Sequence, residues 1–156
     1  MSELRPDLAA LTRFELYFSI RQFTRTMRRF AELFDYDYDM VIIFFIVAES
    51  CFQAIIPLGG AAADPDSLER AYTDSMSLGM SVFNIGEACG IPRETVRRKI
   101  KTLIDLGYLG TLEKTKSVYV PMSALLDERM LSAFRSYSAD IDQFVKTVQY
   151  YSKGGA

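Results

Sequence analysis

The sequence predicts a mainly α-helical chain that carries one small β-hairpin, and three observations lead there. Apolar residues recur at three- and four-residue steps over the first 34 residues and again after Ser123, the repeat of an amphipathic helix. Between these stretches, Ser81 to Leu106 divides into two short helical runs separated by Gly90 and Pro92. Beyond Gly107 the pattern changes to period two on either side of a polar turn, as in a hairpin. At 156 residues the chain is long enough for one domain with a substantial core.

Met1 to Asp7 is polar and is expected to fray. From Leu8 to Phe34 the residues Leu8, Leu11, Phe14, Phe18, Phe23, Met27, Phe30 and Phe34 predict one long amphipathic helix. It also carries Arg21, Arg25, Arg28 and Arg29, three of them on a common side. These arginines are read as a solvated face paired with Glu32 and other acids, with a second phosphate-contacting surface as the functional alternative. Asp35 to Asp39 interrupts the pattern with residues suited to capping the next helix. Met40 to Ala48 is apolar on all sides, yet a membrane span needs about 20 apolar residues and this run stops after nine, at Glu49. A helix buried in the protein interior is expected instead, serving as the hub for the first helix and for the segment after residue 80. Residues 57–80, with Gly59-Gly60 and Asp64-Pro65-Asp66-Ser67, read as an insertion or loop, either lining an effector pocket or lying on the surface.

Ser81 is placed to cap a helix that Gly90 ends through a positive φ, with Gly86 small where a second helix crosses. Pro92 suits the first turn of the second helix, expected over 92–106 and stopped by Gly107. Val96, Ile100, Leu103 and Ile104 form its core stripe, and Glu94, Arg98, Lys101 and Asp105 lie opposite with Arg93 and Arg97 on the flank. The hairpin, with its wing over 110–118, carries Lys114 and Lys116 in its turn and ends at Pro121. A hairpin directly after such a helix makes 81–121 a winged helix-turn-helix.

Ile85-Gly86-Glu87-Ala88-Cys89-Gly90-Ile91-Pro92-Arg93-Glu94-Thr95-Val96, with Arg98 following, resembles the DNA-binding segment of the catabolite-activator (CRP/FNR) regulators. The resemblance implies that Arg93, Glu94 and Arg98 read base edges in the major groove. The chemistry suits that role, since Arg donates two hydrogen bonds to guanine and Glu accepts from cytosine N4. Pro92 departs from the Ser or Thr common there, which removes a phosphate contact, and no β-rich cyclic-nucleotide domain lies upstream. The layout as a whole, with helices at both ends, is similar to MarR-type regulators, which implies an obligate dimer.

Charge is divided in a way that fits DNA. Between Ile91 and Lys116, seven basic residues face three acidic ones, a net of +4 in a chain whose total is −2, which leaves −6 elsewhere. Positive charge gathered on one element is the footprint of a nucleic-acid binder. Thr95, Arg97, Lys101, Lys114 and Lys116 are the expected phosphate contacts.

A last helix from Ser123 carries Leu126, Met130, Phe134, Tyr137, Ile141, Phe144, Val145, Val148 and Tyr151 at steps of mostly three or four. Its length asks for a partner surface, expected to be the first helix of a second copy, with packing inside one chain as the alternative. Such a homodimer sets two recognition helices about 34 Å apart, one turn of DNA. The organisation expected is therefore one domain over 1–156, in four regions: N-terminal helices over 1–56, an insertion over 57–80, the winged helix-turn-helix over 81–121 and a dimerisation helix over 122–156.

Nothing in the sequence has the pattern of an active site. There is no His, no phosphate-cradling glycine loop and no metal-ligand cluster; Asp64 and Asp66 read as a turn and a helix cap. No cofactor is implied. Cys51 and Cys89, widely spaced and in apolar contexts, read as reduced thiols of a cytoplasmic protein, with redox sensing as the alternative. The expected function is a sequence-specific, dimeric DNA-binding transcription regulator, partnered by double-stranded DNA and its own second copy, not by a membrane, and with any effector left open. The rival is a winged-helix protein-interaction module without sequence-specific DNA binding, in which the basic helix faces an acidic partner.

Overall fold

The apolar run after Asp39 does become a helix, and the segments around it group by what they bury. The computed structural model describes residues 13–53 and 79–152. Among these are α1 (Arg13–Ala31), a 3-10 turn (Glu32–Phe34), α2 (Tyr38–Gln53), α3 (Val82–Cys89), α4 (Arg93–Asp105), β1 (Gly110–Thr111), β2 (Val118–Tyr119), α5 (Met122–Leu125) and α6 (Glu128–Ser152). The chain is mainly helical with one small antiparallel sheet. Leu8, Leu11, Asp64 and Asp66, and all of 57–80 except Gly79 and Met80, lie outside the described residues. No helix among the described residues is long and apolar enough to cross a membrane. Residues 37–127 form one compact unit, and residues 1–36 with 128–156 form another.

In the first of these units, α2 packs against α3, α4 and β2. Its residues Met40, Val41, Ile43, Phe44, Val47, Ala48 and Cys51 are buried, while Ile42 reaches solvent, so the helix is covered on most but not all sides. Asp37 starts it, accepting a hydrogen bond from the Met40 N–H at 3.2 Å, while its own carbonyl accepts from Val41 N–H. Across from α2, α4 buries Val96, Ile100 and Leu103 in the stripe that the sequence predicts, each contributing about 1.5–3 kcal/mol. Lys99 on the flank of α4 reaches the second oxygen of Asp37, so one carboxylate both caps α2 and ties α4 to its start.

The sheet is larger than a simple hairpin. Gly110 pairs with Tyr119 and Thr111 with Val118, and Met80 adds an isolated antiparallel bridge to the other edge of Val118. Met80 N–H donates to Val118 O at 2.7 Å and Val118 N–H returns the bond at 2.8 Å. The chain is thus fastened to the hairpin just before α3 begins. Strand pairing begins at Gly110, later than the Tyr108-Leu109 start expected, because Tyr108 and Leu109 donate to Leu103 O and finish the end of α4.

The second unit is a helix pair. α1 and α6 run antiparallel: Phe14 and Phe18 meet Tyr151, with ring centroids 4.9 and 5.6 Å apart, and Phe30 meets Phe134 and Tyr137 at 5.2 and 6.0 Å. The α6 stripe expected to meet a second copy therefore meets α1 of its own chain. The stripe expected on α1 is also split. Phe18 lies toward α6, whereas Leu16, Ile20 and Phe23 are 50%, 59% and 68% exposed. At about 100° per residue these three lie across α1 from Phe18, an exposed apolar row on the side away from α6. The expected C-terminal helix is broken as well: Pro121 starts the short α5, Leu126 ends it, and α6 starts only at Glu128.

Two predictions follow from this packing. Burial raises the Asp37 carboxyl, but the Lys99 ammonium and the backbone N–H groups of Met40 and Asp39 outweigh it and hold the group below its ordinary value. Its stabilisation is thus present above about pH 4 and is lost as pH falls through the lowered folded value. Asp37→Asn, which keeps a capping side chain, should cost about 1 kcal/mol at pH 7, with the gap to the parent closing below about pH 4 in urea titrations. A gap that is the same at pH 3 and pH 7 would show that the charge contributes nothing.

The glycines supply the second prediction. A Cβ at Gly86 would find its nearest atoms, Arg93 Cγ and Ile91 O, at 3.8 Å, so the close helix crossing expected there does not require glycine. Gly86→Ala should leave stability unchanged or raise it by up to about 1 kcal/mol. At Gly79 the same atom would stand 2.8 Å from Ser117 Cβ and 3.2 Å from Val118 O, and Gly79→Ala should cost about 1–3 kcal/mol through the Met80 bridge. Thermal melts of the two variants moving in the same direction would contradict this assignment.

Candidate nucleic-acid interface

The turn between α3 and α4 forms as its residues dictate. Ser81, in extended backbone, accepts the Asn84 N–H on its Oγ at 3.1 Å and so caps α3. Gly90 takes φ +65° and donates to Gly86 O at 3.0 Å, closing that helix in a conformation that a side chain would strain. Pro92 is the residue before α4, not part of its first turn as expected. Its ψ of 137° is extended, and its carbonyl accepts from Val96 N–H, so the helix proper begins at Arg93. α4 ends at Asp105, one residue short of the expected 106, and Gly107 turns the chain with φ +81°.

Burying Val96, Ile100 and Leu103 sends the remaining side chains of α4 outward. Arg93, Glu94, Arg97, Arg98, Lys101 and Asp105 are exposed and Thr95 is half-buried. Their partners separate residues that look alike in sequence. Arg97 Nη1 lies 2.8 Å from Glu94 Oε1, an exposed pair one helical turn apart that contributes only a few tenths of a kcal/mol. Arg93 lies over the Phe83 ring, with its guanidinium carbon 4.4 Å from the centroid. Arg98 and Lys101 have no carboxylate within ion-pair distance among the described residues. Lys99, counted with the cationic segment, is instead engaged by Asp37.

The hairpin turn presents Lys114 and Lys116, both exposed. Lys116 holds φ +57°, with its N–H on Leu112 O at 2.9 Å, while Leu112 N–H closes the turn on Ser117 O at 2.8 Å. A non-glycine residue in this left-handed conformation costs roughly 1 kcal/mol. Of the sequence-named residues, the structure therefore gathers Arg93, Glu94, Thr95, Arg97, Arg98 and Lys101 on one helix, with Lys114 and Lys116 at the tip of the following hairpin. Sequence reasoning missed Phe83 beneath Arg93, the Met80 bridge and the Asp37–Lys99 tie. Only the spacing of three between Glu94 and Arg97 was there to find their pair.

The arginines of α1 behave differently. Arg25 and Arg29 converge on Asp140 of α6, at 3.2 and 2.6 Å, and Asp140 is only 11% exposed. The acid that pairs with Arg25 and Arg29 is thus Asp140, one of the other acids expected beside Glu32. Arg21 and Arg25 also edge a small cleft of about 90 Å³, with Phe18, Gln22, Gln143 and Phe144. Cys51 is buried and Cys89 half-buried, its Sγ 3.7 Å from Gly86 O. No group of three potential metal-ligating side chains occurs among the described residues. No protein-family profile, curated protein or solved structure matches the chain.

Proposed function

We propose that this protein is a sequence-specific, dimeric DNA-binding transcription regulator whose residues 81–121 act as a winged helix-turn-helix. The supporting observation is the outward face of α4, where Arg98 and Lys101 stand exposed without an acidic partner among the described residues and Arg93 is held by a ring instead of a carboxylate. Arg93, Glu94 and Arg98 read bases in the major groove. Thr95, Arg97, Lys101 and the wing residues Lys114 and Lys116 contact phosphates and fix the register. Glu94 can keep Arg97 on one oxygen while accepting from cytosine N4 on the other, since an ionised carboxylate has about four lone-pair sites. A second reading, a protein-interaction module, draws on the Glu94–Arg97 pair and on exposed Asp105, which give the same face a mixed charge.

Selection of the purified protein against a randomised duplex pool at two salt concentrations separates the two. The regulator should enrich an inverted repeat with half-sites about 10 bp apart. On the enriched site Arg98→Ala should cost about 1–3 kcal/mol and flatten sequence preference, whereas Lys116→Ala should weaken all duplexes alike and lower the salt slope by about one. Weak binding without enrichment, lost at physiological salt, would favour the interaction module.

The dimer rests on a different surface. Taking about 100° per residue, the exposed row Leu16, Ile20 and Phe23 of α1 lies across that helix from Phe18, on the side away from α6. A second copy covering this apolar face would bury it in a symmetric four-helix arrangement. Light scattering at micromolar concentration should give twice the chain mass, and Phe23→Glu should give one. A monomeric mass for the unaltered protein would remove the dimer from the proposal.

A further inference from the structure

We infer that Phe83 is a positioning residue for base recognition: its ring holds Arg93 so that the guanidinium meets the DNA with its hydrogen-bond donors unspent. The inference rests on the DNA-reading function proposed above and assigns a role to a residue of α3 that lies outside the base-reading set. Phe83 is half exposed although it sits in a short helix whose inward positions are already filled by Ile85 and Gly86. Burial in the core therefore does not account for a large aromatic residue there. The side chain of Arg93 crosses back over α3: its Cγ lies 3.8 Å from where a Cβ on Gly86 would be, and its guanidinium carbon stands 4.4 Å from the Phe83 centroid.

The choice of an aromatic partner has a chemical consequence. A ring attracts the cation through its quadrupole and offers no carboxylate oxygen to the N–H groups. A carboxylate does the opposite, as Glu94 shows when it takes up Nη1 of Arg97. Guanine needs two donors on one edge of the guanidinium, aimed at O6 and N7. Arg93 keeps those donors available while losing much of its rotamer freedom before DNA arrives, and Arg97 does not. Two arginines four residues apart on one helix are thus prepared for different tasks, Arg93 for a base and Arg97 for the backbone. Exposure of the ring leaves it accessible beside the DNA throughout.

The test is a double-mutant cycle on the full chain. Dissociation constants of the parent, Phe83→Ala, Arg93→Ala and the double variant are measured on the duplex enriched from the random pool and on an unselected duplex. Phe83→Tyr serves as the conservative control, and thermal melts of each variant monitor folding. Phe83→Ala should weaken binding to the enriched duplex about three- to fivefold, leave the unselected duplex unchanged and add nothing once Arg93 is alanine, while Phe83→Tyr should bind as the parent does. In the DNA-free protein, the side-chain Nε–H and Cδ–H resonances of Arg93 should carry a ring-current shift that Phe83→Leu abolishes. Equal losses on both duplexes, or losses that add to those of Arg93→Ala, would overturn the role of Phe83 alone. Failure of the parent to enrich any sequence would overturn the DNA-reading function and this inference with it, even if the ring-current shift is present.

Discussion

Helix α4 satisfies two opposed demands within thirteen residues, and the rest of its unit is arranged around that. One side must leave water, because Val96, Ile100 and Leu103 are apolar and buried. The other side must stay in water with its charges, since burying an unpaired guanidinium or ammonium costs several kcal/mol. The helix can meet both only if its rotation about its own axis is fixed. Apolar burial sets that rotation broadly, and the Lys99–Asp37 pair sets it locally, because Lys99 sits on the boundary between the two sides and is held at the first turn of α2. Rotation of α4 by one residue would draw Lys99 off Asp37 and turn a charged neighbour toward α2. The turn at Gly90 and the stop at Gly107 then fix where along its axis the exposed face begins and ends.

Local chemistry was legible and distant pairing was not. Ser81, Gly90 and Gly107 announce helix ends because each meets a backbone requirement within four residues of itself, and the stripe of α4 follows from its own periodicity. The Asp37–Lys99 tie joins residues 62 apart, and nothing about either one names the other. Met80 pairs with Val118 through backbone atoms alone, so no side-chain pattern could reveal it. On α1 the difficulty was different in kind. Aromatic residues occupy two rows of the same helix, and a pattern of threes and fours can be traced through either; Phe18 followed one row and Phe23 the other. Periodicity says that a face is apolar, but which apolar face meets a given partner is decided by the partner, here the α6 seam of Phe134, Tyr137 and Tyr151.

Electrostatics in the two units follows one rule with two outcomes. In the helix pair, Asp140 is nearly buried, and its charge is tolerated because Arg25 and Arg29 each supply a donor. Those two arginines are structural: withdrawing them to bind a phosphate would strand a buried carboxylate. On α4 the corresponding acid, Glu94, is largely in solvent, so Arg97 can leave it at little cost. Arginines and lysines that look alike in sequence therefore differ in how readily they can be redirected to a ligand, and among those with a counter-ion its burial, not charge count, orders them.

That ordering bears on the mixed charge of the exposed face. An acidic residue among cations normally weakens phosphate binding, and Glu94 would do so if its charge stood alone. Paired with Arg97 it is neutralised at short range, while at its outer oxygen it still accepts a hydrogen bond, which phosphate cannot supply and an exocyclic amine can. The pair thus opposes a plain polyanion surface less than its carboxylate suggests and favours a partner that presents donors beside its phosphates. A duplex groove has that combination, and a uniformly acidic protein surface does not.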